Sequence, residues 1–198
     1  MKNKDILNLI NENKIDELKA KIIAEIGLED NKEIPTYKAI QRLANLAEKA
    51  QRTSKRRFDG KYIYSRPAIA GAYYKGDKTV IMDMCWGLII NEKLTGLTMA
   101  EDSANAPDLQ NLMPTDTDNV EKYEKIPYTK AELNGLKNLL KIDKNHTVRF
   151  DDNTYPTSQF VNIAECLEDV CIYAPKTKYN PLVIKGTNGI ALICAMRV

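Results

Sequence analysis

Ile34-Pro35-Thr36-Tyr37-Lys38-Ala39 and Ile126-Pro127-Tyr128-Thr129-Lys130-Ala131 repeat almost the same words within one chain of 198 residues. In each, a proline suited to a first helical turn opens a helical pattern. After the first opening, Ile40, Leu43, Ala44, Ala47 and Ala50 mark the inner face of a helix that ends in the basic segment Gln51 to Arg57. After the second, Leu133, Leu136 and Leu140 mark a helix running from near Pro127 to about Asp143. Strand-like runs rich in Ile, Val and Tyr follow the first helix at 61–65, 67–74, 79–84 and 86–91. Others follow the second at 147–150, 170–173, 182–185 and 190–196, with a short helix or turn around 162–167. Each half also holds a proline, an apolar strand, a Lys-Gly turn and another apolar strand, over 67–84 with Lys75-Gly76 and over 181–196 with Lys185-Gly186. Asn188-Gly189 is a strong hairpin signal. The spacing predicts an α+β domain over 34–198, a duplicated helix-plus-antiparallel-sheet unit with halves at about 34–99 and 126–198. Its two helices are expected to lie side by side on two antiparallel sheets.

The flanks read differently. Residues 1–33 form an expected N-terminal helical extension. Within it, 14–27 is amphipathic, with Ile15, Leu18, Ile22 and Ile26 on one face and Gly27 as C-cap. A short helix is expected over 4–11, and 29–33 is a charged linker. Between the halves, the acidic loop 100–125 carries Glu101, Asp102, Asp108, Asp116, Asp118, Glu121 and Glu124, and reads as solvated and mobile.

Composition narrows the function. The hydrophobic fraction of 43% and charged fraction of 28% are ordinary for a globular chain. The net charge of +2 excludes a uniformly basic nucleic-acid binder, so any phosphate-binding surface must come from local segregation of charge. Such segregation is present. Lys38, Arg42, Asn45, Lys49 and Arg52 are spaced to line one face of the first helix. Lys130, Asn134, Lys137, Lys141 and Lys144 repeat that spacing on the second. Fixed cationic rows of this kind meet phosphate backbones without reading bases. Met1 to Asp5 is polar, and no run approaches the ~18 apolar residues of a membrane span. A cytoplasmic location without membrane association is expected.

Catalytic patterns are missing. The single histidine, His146, sits in an expected loop beside Lys144 and Asn145 and suits a surface role better than a general base. Cys85, Cys166, Cys171 and Cys194 show no CxxC or Cys/His ligand spacing and read as buried free thiols. No phosphate-cradling glycine loop occurs, and Asp151-Asp152-Asn153 reads as a turn. Trp86, Met82 and Met84 are expected in a core. The expectation is a non-enzymatic protein with no metal and no cofactor.

Two segments then resemble a known family, the bacterial DNA polymerase sliding clamp. Arg66 to Ala72, followed by Val80-Ile81-Met82-Asp83-Met84-Cys85-Trp86-Gly87-Leu88-Ile89-Ile90, resembles the clamp strands around a Thr-Asp-Gly-x-Arg-Leu motif. Asn180 to Lys185 and Ala191-Leu192-Ile193-Cys194-Ala195-Met196-Arg197-Val198 resemble the clamp's last hairpin and its Met-Pro-x-Arg-Leu ending. The likeness spans about 34–198. It implies one DNA-clamp-like domain, a processivity-type role in replication or a mobile element, and non-specific contact with duplex DNA. The nucleic-acid-binding residues would be Lys38, Arg42, Lys49, Arg52, Lys130, Lys137, Lys141 and Lys144. It further implies polymerase or other replication proteins as partners, a peptide cleft near Met196, Arg197 and Val198, and self-assembly, since the family's rings close with six such domains. Gly87 stands where the clamp motif has Arg, and Cys194-Ala195 where it has Met-Pro. The competing expectation is a protein–protein interaction module that kept the fold without binding DNA.

Overall fold

The computed structural model describes residues 14–57 and 60–196. The short helix expected over 4–11 and the cleft residues Arg197 and Val198 lie outside them. The first described element, α1 (Ile15–Asp30), runs on through Gly27, which is therefore not a cap. Gly27 instead lets the helix touch its neighbour: a Cβ there would lie 2.5 Å from Gly96 Cα and 2.3 Å from the Tyr37 hydroxyl. The stripe expected to be buried is not, because Ile15, Ile22 and Ile26 are exposed.

Helix α2 (Tyr37–Gln51) buries Tyr37, Ile40, Leu43, Ala44 and Ala47. It stops where Arg52 turns extended and opens a hairpin, β1 (Arg52–Arg56) and β2 (Tyr62–Tyr64). The basic segment is thus a strand rather than a helix end. A 3₁₀ turn (Pro67–Ile69) leads to β3 (Ala72–Lys75), β4 (Lys78–Met82) and β5 (Trp86–Ile90). Strand β6 (Tyr123–Pro127) comes next, then α3 (Lys130–Ile142). Pro127 closes this edge strand instead of opening a helix, a place where its missing N–H costs nothing. Helix α3 starts at Thr129, which forms a capping box with Glu132: the Thr129 N–H donates to Glu132 Oε2 at 2.7 Å, and the Glu132 N–H donates back to the Thr129 hydroxyl. The chain continues through a second hairpin, β7 (Thr147–Phe150) and β8 (Asn153–Pro156), then α4 (Thr157–Ala164), β9 (Cys171–Pro175), β10 (Leu182–Gly186) and β11 (Gly189–Ile193).

Seven strands form one antiparallel sheet in the order β3-β4-β5-β11-β10-β9-β6. The expectation of two sheets is corrected by this order. The two strand sets fuse along the β5–β11 seam, where Trp86 pairs with Ile193 and Ile90 with Gly189. The order helix, hairpin, short helical piece, three-strand meander occurs once over 37–90 and again over 130–193. Helices α2, α3 and α4 lie on one face of the sheet, in one apolar cluster with Ile81, Leu88, Ile172, Leu182, Ile184 and Ile193.

The other face is covered by the acidic loop, which is not merely solvated. Leu109, only 2% exposed, joins Tyr73, Val80, Ile89 and Leu192 there. The Tyr73 hydroxyl donates to the Pro107 carbonyl at 2.8 Å and pins the loop. Leu109 fills the space a side chain at 87 would need, since a Cβ on Gly87 would come within 2.5 Å of its Cδ2. That contact leaves no room for a side chain at 87 unless Leu109 moves.

Candidate nucleic-acid interface

The two basic stripes meet at one carboxylate. Arg42 of α2 and Lys137 of α3 both bond Glu165, just past the end of α4, with Lys137 Nζ 2.5 Å from Oε1. One cation of each row therefore meets on the helical side of the sheet. Partial burial pushes the Glu165 carboxyl up, but the bonds from Lys137 and Arg42 outweigh it and hold it below the usual carboxylate range. Arg42 and Lys137 are therefore committed to holding helices together. Lys137 is half-buried, and the other seven cations of the two stripes are exposed.

Arg52 is also committed. Its guanidinium grips Glu48, with Nε 2.7 Å from Oε1 and a second contact of 2.6 Å to Oε2. Glu48 is 6% exposed and accepts a further bond from the Tyr64 hydroxyl at 2.8 Å. Burial, and then the bond to Glu48, pushes the Tyr64 hydroxyl up to about 12. Lys141 bonds Asn138 at 3.0 Å. Lys38, Lys49, Lys130 and Lys144 make no ion pair among the described residues, which leaves them free to meet phosphate.

The stripe on α2 continues into the β1–β2 hairpin, which site assignment from the sequence missed. Over 52–61 the chain carries Arg52, Lys55, Arg56, Arg57 and Lys61 against a single Asp59. Arg52 and Arg56 lie over the Tyr62 ring at 4.1 and 4.4 Å from its centroid, and Arg57 pairs with Glu101 at 2.7 Å. The signal for it is Gly60 followed by Tyr62-Ile63-Tyr64, a turn and a strand. Reading 51–57 as the end of a helix hides it.

A second feature is apolar. Met82, Met84, Trp86, Leu109, Leu112, Tyr179, Pro181, Leu192 and Cys194 line a groove of about 240 Å³. Trp86 and Met82 are buried as expected, but Met84 is 63% exposed. Met196 is exposed and is tied to the β7–β8 hairpin by its N–H, which donates to the Thr154 carbonyl at 2.8 Å. It lies just beyond the groove residue Cys194. Of the cysteines, Cys166 is buried and Cys171 half-buried, whereas Cys85 and Cys194 are exposed, against expectation. His146 is half-buried, with Nδ1 2.8 Å from the buried Thr157 hydroxyl, a bond that fixes the start of α4. Among the described residues no helix is long and apolar enough to cross a membrane.

No family model, curated protein or solved structure matches this chain.

Proposed function

We propose that the protein is a non-enzymatic, sliding-clamp-like module that holds duplex DNA without sequence preference across its helical face, in replication or in a mobile element. The observation that carries the reading is the convergence of Arg42 and Lys137, one cation from each helix row, on Glu165. The recurring element order, with a helix heading each meander, fits the duplicated unit of such a domain. The free lysines and the basic hairpin supply charge in a row longer than either helix alone. Contacts of this kind position a protein and carry no base readout. A lone domain cannot encircle a duplex, so the reading includes self-assembly or a partner.

The test is duplex binding across a salt series. Affinity should fall with rising salt by about 0.9 in log–log slope for each phosphate engaged, and scrambling the duplex sequence should change nothing. Changing Lys38, Lys49, Lys130 and Lys144 together to Glu should weaken binding and flatten the slope. These four are the right choice because Arg42 and Lys137 also hold the helices in place. No binding at low salt, or binding unchanged by the fourfold change, defeats the reading. Solution mass tests the assembly.

A second reading rests on the groove. Its walls include Met82, Asp83, Met84, Trp86 and Cys194, from the segments whose likeness to the clamp implies a peptide cleft. Exposed Met84, Leu112 and Tyr179 there suit an apolar peptide of a replication protein. This reading stands without DNA, and a polymerase-derived peptide that binds wild-type protein but not Met84→Lys would favour it.

A further inference from the structure

Cys85 and Cys194 sit opposite each other at the open end of the β5–β11 seam. Pairing runs from Ile90 against Gly189 to Trp86 against Ile193. One step further, the Cys194 N–H donates to the Cys85 carbonyl at 2.8 Å. Residues directly opposite on antiparallel strands have Cα atoms about 4.5–5.5 Å apart. That lies within the roughly 4.4–6.8 Å a disulfide spans. Both residues are exposed. The other two thiols are sheltered: Cys166 is buried with Sγ on the Asn162 carbonyl, and Cys171 faces the Ile126 carbonyl of β6. The two exposed cysteines are thus the two that are neighbours. Burial, and then the nearby Cys85 thiol, raises the Cys194 thiol, as expected of two thiols within electrostatic reach.

We propose that Cys85 and Cys194 form a reversible cross-strand disulfide, a redox switch at the edge of the apolar groove that Cys194 lines. The oxidant is a low-molecular-weight disulfide such as oxidised glutathione. One cysteine thiolate attacks it and expels one reduced thiol. The second cysteine thiolate then attacks the mixed disulfide and expels the other. One protein S–S bond forms and one reagent S–S bond breaks. Two electrons pass to the reagent, and the two cysteine protons leave with its thiols. A bond between adjacent hydrogen-bonded strands departs from relaxed disulfide geometry, which makes it readily reduced. When formed, it ties the Met84-Cys85 turn to the segment 194–196. Met84 on the turn and Cys194 on the segment both line the groove, so the bond limits how far these two lining residues can separate.

The test uses the intact chain in glutathione buffers of increasing oxidised fraction, followed by alkylation, digestion without reduction and mass spectrometry. The expected product is a peptide pair joining Cys85 to Cys194 within one chain, lighter by two hydrogens and restored by dithiothreitol. Cys166 and Cys171 should stay unlinked. Cys85→Ser and Cys194→Ser should each abolish the product, but the wild-type digest decides the matter even if a variant fails to fold. Separate glutathione adducts with no linked pair, a link to Cys171, a link between two chains, or thiols still free in fully oxidised buffer would each overturn the proposal.

Discussion

The two small hairpins occupy the same place in the recurring element order and are held by opposite means. In β7–β8, Tyr155 is fully buried and Phe150 packs at 6.2 Å centroid distance against both Tyr155 and Phe160. Asn153 adds bonds to the Pro175 and Thr177 carbonyls and accepts one from the Tyr179 N–H. In β1–β2 no strand residue is buried. Its anchors are Arg52 on Glu48 and two guanidiniums on Tyr62. Apolar burial fixes one hairpin, and charge and ring stacking hold the other. A hairpin that contributes little to the core can vary without unfolding the protein, and this one has filled its free positions with cations.

The largest test of that contrast is Tyr155→Ala, which should cost about 3–5 kcal/mol in chemical denaturation, the usual loss for a fully buried aromatic side chain. Tyr62→Ala should cost under about 1 kcal/mol, since an exposed cation–π contact contributes little. Equal costs would break the comparison. Next comes Lys55→Glu with Arg56→Glu, which should lower the unfolding midpoint only slightly, no more than Tyr62→Ala, and lower the DNA salt slope by about 0.9 for each phosphate no longer engaged. Asp151→Asn with Asp152→Asn, on the opposite hairpin, should leave that slope alone. Glu48→Gln should cost roughly 1–2 kcal/mol, because it weakens a charge-assisted bond to Arg52 at a buried site. It should also speed amide hydrogen exchange over 52–64.

The smallest effect concerns pH. The Glu165 carboxyl is held low in the folded state, so its contribution is present above the unfolded value and is lost as pH falls through the folded one. Stability should decline on acidification through and below the ordinary carboxylate range. Glu165→Gln should remove that part of the decline, at under about 1 kcal/mol for a partly solvated pair. An unchanged acid profile would deny Glu165 its bridging role.

The sequence made the helical parts of this pattern legible. Ile40, Leu43 and Ala47 announce α2 because a buried stripe repeats at helical spacing. The strands near Ile81, Leu88 and Ile184 announce themselves by continuous apolar runs. Three things were hidden. The strand Arg52–Arg56 has no apolar alternation, since its neighbours are Tyr62 and solvent. The covering role of Leu109 depends on a single apolar residue among acids, whose purpose appears only when Gly87 is opposite it. The fusion of two strand sets into one sheet depends on a pairing between distant segments, for which a local pattern has no sign. For the site, the stripes were visible as spacing, but their division of labour was not. Glu165 and Glu48, which engage three of the eight cations, lie off the helical rows and reach them only in the fold.

The seam has a consequence for how the protein is made. Strand β11 is the middle strand of the sheet and the last of the seven to leave the ribosome. Leu88 must wait roughly a hundred residues for its partner Ala191. Until then the nascent chain carries two partial sheets, and β5 and β10 each present an open edge of unpaired backbone groups beside apolar side chains. Such a topology joins its halves late and slowly, because distant pairing must be reached before it stabilises anything. Translation arrested before Gly189 would release chains ready to pair with one another, so the protein's exposure to aggregation and its need for chaperones are concentrated in its final few strands.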